Sequence, residues 1–166
     1  MIYYFDVNIL GEMFKYYPSR IFSDLWERLD ELIAAGQIRV PDETYREIAS
    51  DEAREWLTPR KGQIVCATTE VELDCLGAIG SSIPSFVDHS KPRSDADQPL
   101  VAHAMACNLQ AVGEYASGPA MILTNERRRK GNETRLRIPD ACDHFGVRCG
   151  RFLDFIEDLG LRFALV

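Results

Sequence analysis

Four large apolar residues, Ile2-Tyr3-Tyr4-Phe5, run without interruption into an acid, Asp6. A short apolar run with aromatic and β-branched side chains is the pattern of a buried strand. We read the strand over residues 2–7. A carboxylate at the end of such a strand is costly unless something nearby repays its lost hydration. Asn8 follows as a candidate N-cap, and Ile9, Leu10, Met13 and Phe14 recur at helical spacing. Pro18 ends that helix. A longer helix is expected from about Ser19 to Ala35, with Gly36 where a C-cap glycine belongs. Gln37 to Val40 reads as a second short strand, and Pro41-Asp42 opens another helix. Strand, helix, helix, strand, helix is the order of an α/β sheet.

The remainder continues the pattern. Residues 51–58 read as a short helix stopped by Pro59. Residues 68–89 are helical in pattern but interrupted by Gly77, Gly80 and Pro84. Ser94 or Asp95 is expected to cap a helix running to about Leu109, followed by a polar connection from Gln110 to Pro119. Met121 to Thr124 is a third buried strand, and residues 126–137 form a charged loop without apolar periodicity. Pro139 starts a short helix ending at Gly146. Val147-Arg148-Cys149 is a further strand, and Phe152, Phe155, Ile156 and Leu159 face inward from a last helix closed by Gly160.

The chain of 166 residues fits one domain, with a core that needs no disulfide or structural metal. The five cysteines are odd in number and lack Cys-x-x-Cys spacing, so reduced thiols are expected. No transmembrane span and no signal peptide are read, so a cytoplasmic location is expected. The net charge of −7 disfavours a broad nucleic-acid surface. Its distribution points the other way. Arg127, Arg128, Arg129, Lys130, Arg135 and Arg137 lie within eleven residues, a strip able to meet a polyanion.

Ligands of an open parallel sheet bind beyond the carboxyl ends of its strands. Asp6 closes the first strand, and Glu126 follows the Met121–Thr124 strand directly. Asp97 lies in the first turn of a helix whose other early residues are apolar, and Glu47 is on the helix after the second strand. Each also has a plain reading. Asp97 can serve a helix N-terminus, Glu47 a solvated face, and Glu126 the start of a polar loop. Asp6 resists such a reading, because a buried strand leads into it. Converging carboxylates repel one another unless cations compensate. Hard oxygen ligands suit Mg²⁺ or Mn²⁺, which can polarise a phosphodiester and activate water.

These stretches resemble the PIN domain family. Phe5-Asp6-Val7-Asn8-Ile9-Leu10 looks like its opening, where an Asp-x-Asn/Ser/Thr pair ends the first strand. The likeness continues at Val40-Pro41-Asp42-Glu43-Thr44-Tyr45-Arg46-Glu47-Ile48, at Ala96-Asp97-Gln98-Pro99-Leu100-Val101-Ala102 and at Ile122-Leu123-Thr124-Asn125-Glu126. Ile138-Pro139-Asp140-Ala141-Cys142 and the C-terminal Phe-Leu-Asp-Phe suggest a PIN-like branch formerly of unknown function, related to VapC-type toxins. The resemblance implies a three-layer α/β/α sandwich around a central parallel sheet, spanning residues 1–166. It implies metal-dependent cleavage of single-stranded RNA, with Asp6, Glu47 and Asp97 as metal-site acids and Mg²⁺ or Mn²⁺ as cofactor. Asn8 and Thr124 would support Asp6. Glu126 stands where the family more often has Asp, so its longer side chain reaches differently. The expected partners are RNA, a cognate antitoxin and a second copy of the chain, with no membrane.

Two other classes of function stay open: a phosphatase or DNA nuclease using the same acids, and a catalytically silent module that binds RNA or protein. Arg127, Arg128, Arg129 and Lys130 are candidates for gripping an RNA backbone, against a plain solvated loop. Phe14, Tyr16, Tyr17, Phe22 and Trp26, on the helical pair at residues 9–35, are candidates for a contact surface with a second copy or an antitoxin, against internal packing. Asp95 reads as a cap, Asp140 and Asp143 as helix-dipole or solvent residues, and His103 as a packed histidine. Nothing singles out His89 or His144. Gly77-x-x-Gly80 does not follow a strand and is not a phosphate loop.

Overall fold

The computed structural model describes residues 1–86, 96–111 and 120–162. Ser94, Asp95, His89 and most of the Gln110–Pro119 connection lie outside them. Among the described residues, five parallel strands form one sheet: β1 (Ile2–Phe5), β2 (Ile38–Pro41), β3 (Val65–Cys66), β4 (Ala120–Leu123) and β5 (Arg148–Gly150). Their spatial order is β3-β2-β1-β4-β5, so β1 is central and the chain leaves it in both directions. Phe5 pairs with Leu123 in register.

Alternate strand residues point to opposite faces, and each face has its own core. Tyr3, Phe5, Met121 and Leu123 pack on one side with α1 (Val7–Tyr16), α2 (Ser23–Ala34), α4 (Asp51–Leu57) and α9 (Phe152–Asp158). Ile2, Tyr4, Ala120 and Ile122 pack on the other with α6 (Glu70–Ser82), α7 (Asp97–Gln110) and α8 (Ile138–Phe145). Two short helices, α3 (Asp42–Arg46) and α5 (Lys61–Ile64), bridge the neighbouring elements. The result is the expected three-layer α/β/α sandwich. Fully burying one side chain such as Phe155 contributes about 1.5–3 kcal/mol.

Several expectations change. The first strand stops at Phe5, and Asp6 rather than Asn8 occupies the N-cap of α1. The second helix begins at Ser23, because residues 18–22 make a turn in which Ile21 and Phe22 donate to the Pro18 carbonyl. The two-residue β3 was not foreseen, since its strand character exists only through pairing with Val40 and Pro41. Helix α6 runs through Gly77 and Gly80. Both are exposed, while Cys75 and Ile79 are buried and a Thr69–Glu72 capping box holds the start. Gly36 and Gly146 adopt φ of 68° and 66°, as the C-cap expectation requires.

The aromatic residues proposed for a dimer surface are largely core. Phe14 packs on Trp26 at 4.8 Å and Tyr17 on Phe152 at 5.0 Å. The Trp26 indole N–H donates to the Tyr17 carbonyl at 2.6 Å. Of the set, only Tyr16 stays substantially exposed. All five cysteines are free. Among the described residues, no helix is long and apolar enough to cross a membrane.

Candidate active site

Strand register brings the first pair of site residues together. Because Phe5 faces Leu123 across parallel strands, the next residues, Asp6 and Thr124, leave the sheet side by side. The Asp6 amide still donates to the Leu123 carbonyl at 3.0 Å, and its own carbonyl accepts from Ile9 and Leu10 to open α1. An N-cap aspartate commonly spends its side chain on those first helical amides. Here the side chain makes no such cap bond. It turns instead to Thr124, whose Oγ1 donates to Oδ2 at 2.7 Å, and to Asn8, whose amide donates at 3.2 Å.

Asp6 is 5% exposed, and no cation pairs with it among the described residues. Burial pushes its carboxyl above the ordinary aspartate range. The Thr124 and Asn8 hydrogen bonds oppose that rise, and the negative charge of Glu126 adds to it. The Thr124 hydroxyl also accepts from the Glu126 backbone N–H at 3.1 Å, so it links the two acids. Glu126 itself caps α8, accepting from Ile138 N–H at 2.9 Å.

The other two acids meet at the start of α7. Glu47 lies one residue past α3 as its C-cap. It reaches across to accept from the Ala96 N–H at 3.3 Å. Ala96 is the N-cap of α7 and Asp97 its first residue. The Asp97 side chain, 15% exposed, pairs with Arg135 at 3.2 Å. Arg135 was visible in the sequence only as part of the basic strip. Nothing local ties it to an acid 38 positions away.

All four predicted acids thus lie at the carboxyl edge of the sheet, but as two pairs. Among the described residues, no three His, Cys, Asp or Glu side chains stand close enough to hold a metal ion together. The donor chemistry of Asp6, Glu47, Asp97 and Glu126 suits a hard divalent cation. Convergence on one ion would require the long Glu47 and Glu126 side chains to leave their amide partners.

Open clefts flank Glu126. One, of about 520 Å³, is lined by Asn8, Glu12, Ser50, Asn125 and Glu126. Another, of about 480 Å³, lies between Glu126 and the Arg135 and Arg137 side chains. Glu12 and Asn125 were not picked from the sequence. Glu12 is one helical turn after Asn8, a spacing that could have found it. The predicted basic strip divides. Arg128 forms a two-pronged pair with Asp143 at 2.6 and 2.9 Å, and the Arg129 backbone N–H donates to Asp140 at 3.1 Å. Arg127 lines a smaller cleft with Asn125 and Glu12.

His103 is buried as expected, but not in a purely apolar setting. Its Nδ1 lies 3.5 Å from Glu72 and 3.7 Å from the Cys66 sulfur. Burial keeps its pKa below the usual histidine value, while Glu72 pulls the other way. Burial pushes the Cys66 thiol up to about 12, so it stays protonated.

A family model, described as a domain of unknown function, DUF4411, matches residues 3–163. The chain belongs to the DUF4411 family. In fold, this DUF4411 chain is similar to VapBC-1 from nontypeable Haemophilus influenzae. The TM-score is 0.55 at 16% identity, over 92% of this chain and 99% of the other. That likeness, together with the parallel sheet between two helical layers, makes the fold PIN-like. No curated protein matches the DUF4411 chain in sequence.

Proposed function

We propose that this DUF4411 protein is a metal-dependent endoribonuclease that cleaves single-stranded RNA and acts as the toxin of a toxin–antitoxin pair. The observation that carries the reading is the Asp6–Thr124–Glu126 hydrogen-bonded chain at the carboxyl edge of the sheet, with Asp6 and Thr124 buried. A buried carboxylate with a raised pKa and no cation beside it is an expensive arrangement to keep, and it is best explained by a ligand. Asp6, Asp97 and Glu47 are the residues that would hold Mg²⁺ or Mn²⁺. When bound, such ions polarise the phosphodiester and lower the pKa of an attacking water. Thr124 fixes the direction of the Asp6 carboxylate, and Asn8 steadies the same oxygen. Glu126 stands beside the proposed reaction centre, where it can orient water. Arg135 would have to release Asp97, and its guanidinium would then be available to the RNA phosphate.

The likeness to VapBC-1 supports an antitoxin partner, as does the resemblance to VapC-type toxins. A homodimer remains part of the proposal, without the aromatic surface first considered for it.

A second reading is a catalytically silent RNA- or protein-binding module. The Arg135–Asp97 pair favours it, because an internal cation already balances one of the acids. One experiment separates the two readings. The protein is incubated with single-stranded RNA, and in parallel with single-stranded DNA and a phosphomonoester, in Mg²⁺, Mn²⁺ or EDTA. Cleavage of RNA alone, with either ion, and its loss in EDTA are expected. Asp97→Asn should remove most of it. No cleavage under any condition would favour the silent module, and cleavage undiminished in EDTA would remove the metal.

A further inference from the structure

Beyond the acids, a small cleft of about 250 Å³ lies between α1 and the start of α9. Arg127, Arg151 and Asn125 line it, with Glu12 on one wall and the Tyr17 and Phe152 rings nearby. Three properties set it apart from the rest of the surface. The Asn125 side-chain nitrogen is buried and has no hydrogen-bond partner. A buried amide donor left unpaired costs free energy, so it calls for a partner, either a water or an acceptor from outside. Arg127 and Arg151 come from distant parts of the chain, yet flank the same space. Among the described residues, neither guanidinium is held by an acid, in contrast to Arg128, which is held by Asp143. Two guanidiniums against the single Glu12 carboxylate leave the cleft net positive.

We propose that this cleft is a subsite for a phosphodiester of the RNA strand, adjoining the acid cluster. Arg127 and Arg151 donate to its non-bridging oxygens, and the Asn125 amide supplies a neutral donor. The chemistry fits a phosphate group. Guanidinium forks pair two-pronged with phosphate oxygens, and an amide N–H adds direction without charge. The placement fits as well. Asn125 sits between Thr124 and Glu126 in sequence and also lines the larger cleft beside Asn8. A strand crossing the acids would therefore deliver its neighbouring phosphate here. The basic strip first read as one unit then has two roles. Arg127 grips the strand, while Arg128 braces the loop against α8. Arg151, absent from that strip, replaces it as the second contact. The proposal rests on the RNA reading above.

The test is equilibrium binding of a fluorescently labelled single-stranded RNA in EDTA, across a salt series, for the full chain. Arg151→Ala and Arg127→Ala are each expected to weaken binding. Each should flatten the slope of log K against log salt by about 0.7, the loss of one phosphate contact to a single strand. Arg128→Ala changes the net charge by the same amount and is expected to leave the slope as it was. Asn125→Ala is expected to weaken binding without changing the slope, and to cost no stability, since its amide has no partner to lose. Equal losses for Arg127, Arg128 and Arg151 would show a diffuse charge effect and overturn the subsite. An Arg151→Ala protein with the wild-type slope would overturn it too, even if the wild type cleaves RNA with Mn²⁺. A wild type that neither binds nor cleaves RNA would overturn the reading beneath it, and the subsite with it.

Discussion

The two halves of the acid cluster are held by different means. Asp6 is placed by strand register, buried at the end of β1, and held by a neutral hydroxyl and a neutral amide. Asp97 is placed by the start of α7, stays partly open to solvent, and is held by a cation from a loop. The Asp6 half is therefore rigid and under-compensated in charge. The Asp97 half is compensated, but through a surface ion pair that can open. Strand register places one carboxylate, and a loop arginine occupies the other.

The comparison sharpens first at Thr124. Thr124→Val keeps the shape but removes the donor to Asp6 and the acceptor for the Glu126 amide. Losing a buried hydrogen bond to a charged group should cost about 1.5–3 kcal/mol by chemical unfolding. The Asp6 carboxyl should also rise further above its ordinary range, because the Thr124 bond is the largest of the influences that oppose the rise. A Thr124→Val protein of unchanged stability would show that Asp6 is not held in this way.

A smaller effect is expected at Arg135, whose side chain is 45% exposed. Arg135→Gln should destabilise the metal-free protein by roughly 0.2–1 kcal/mol, an effect that shrinks as salt screens the acids. Divalent cation should then restore more stability to the variant than to the wild type, since the Arg135 guanidinium no longer competes for Asp97. If Arg135→Gln is neutral at low salt, the contrast between the two halves fails.

The same contrast explains what could be read from the chain in advance. The Asp6 half follows from local pattern: an apolar strand run into an acid, with a second apolar run, Ile122-Leu123, leading into Thr124 beside it. Parallel strands carry such residues together without further information. The pairing of Arg135 with Asp97 and of Glu47 with the Ala96 amide depends on how loops return across the sheet, which no periodicity records. The two-residue β3 was invisible for a related reason, because it is a strand only by virtue of its neighbour. Gly77 and Gly80 misled in the opposite sense. A helix packed on α7 and capped by Thr69 and Glu72 tolerates two solvent-facing glycines that would weaken it in isolation. Asp6 reads as a strand end, yet its backbone both pairs with Leu123 and caps a helix, a double role that apolar patterning does not record.

The central claim is that Asp6 is kept buried for chemistry and at the expense of stability. Its folded pKa is raised above the ordinary value of 3.8. The folded state therefore holds the proton more tightly than the unfolded chain. The resulting penalty is fully present above the raised pKa, shrinks as pH falls through it, and vanishes below 3.8. Asp6→Asn removes the charge at nearly constant shape. Unfolding of the variant and the wild type should be compared from neutral pH to below 4, alongside cleavage of single-stranded RNA in Mn²⁺. The account predicts a variant at least as stable as the wild type at pH 7, with the difference closing on acidification, and cleavage reduced on the order of 100-fold or more. An Asp6→Asn protein that is less stable at neutral pH, or that cleaves RNA like the wild type, would contradict it.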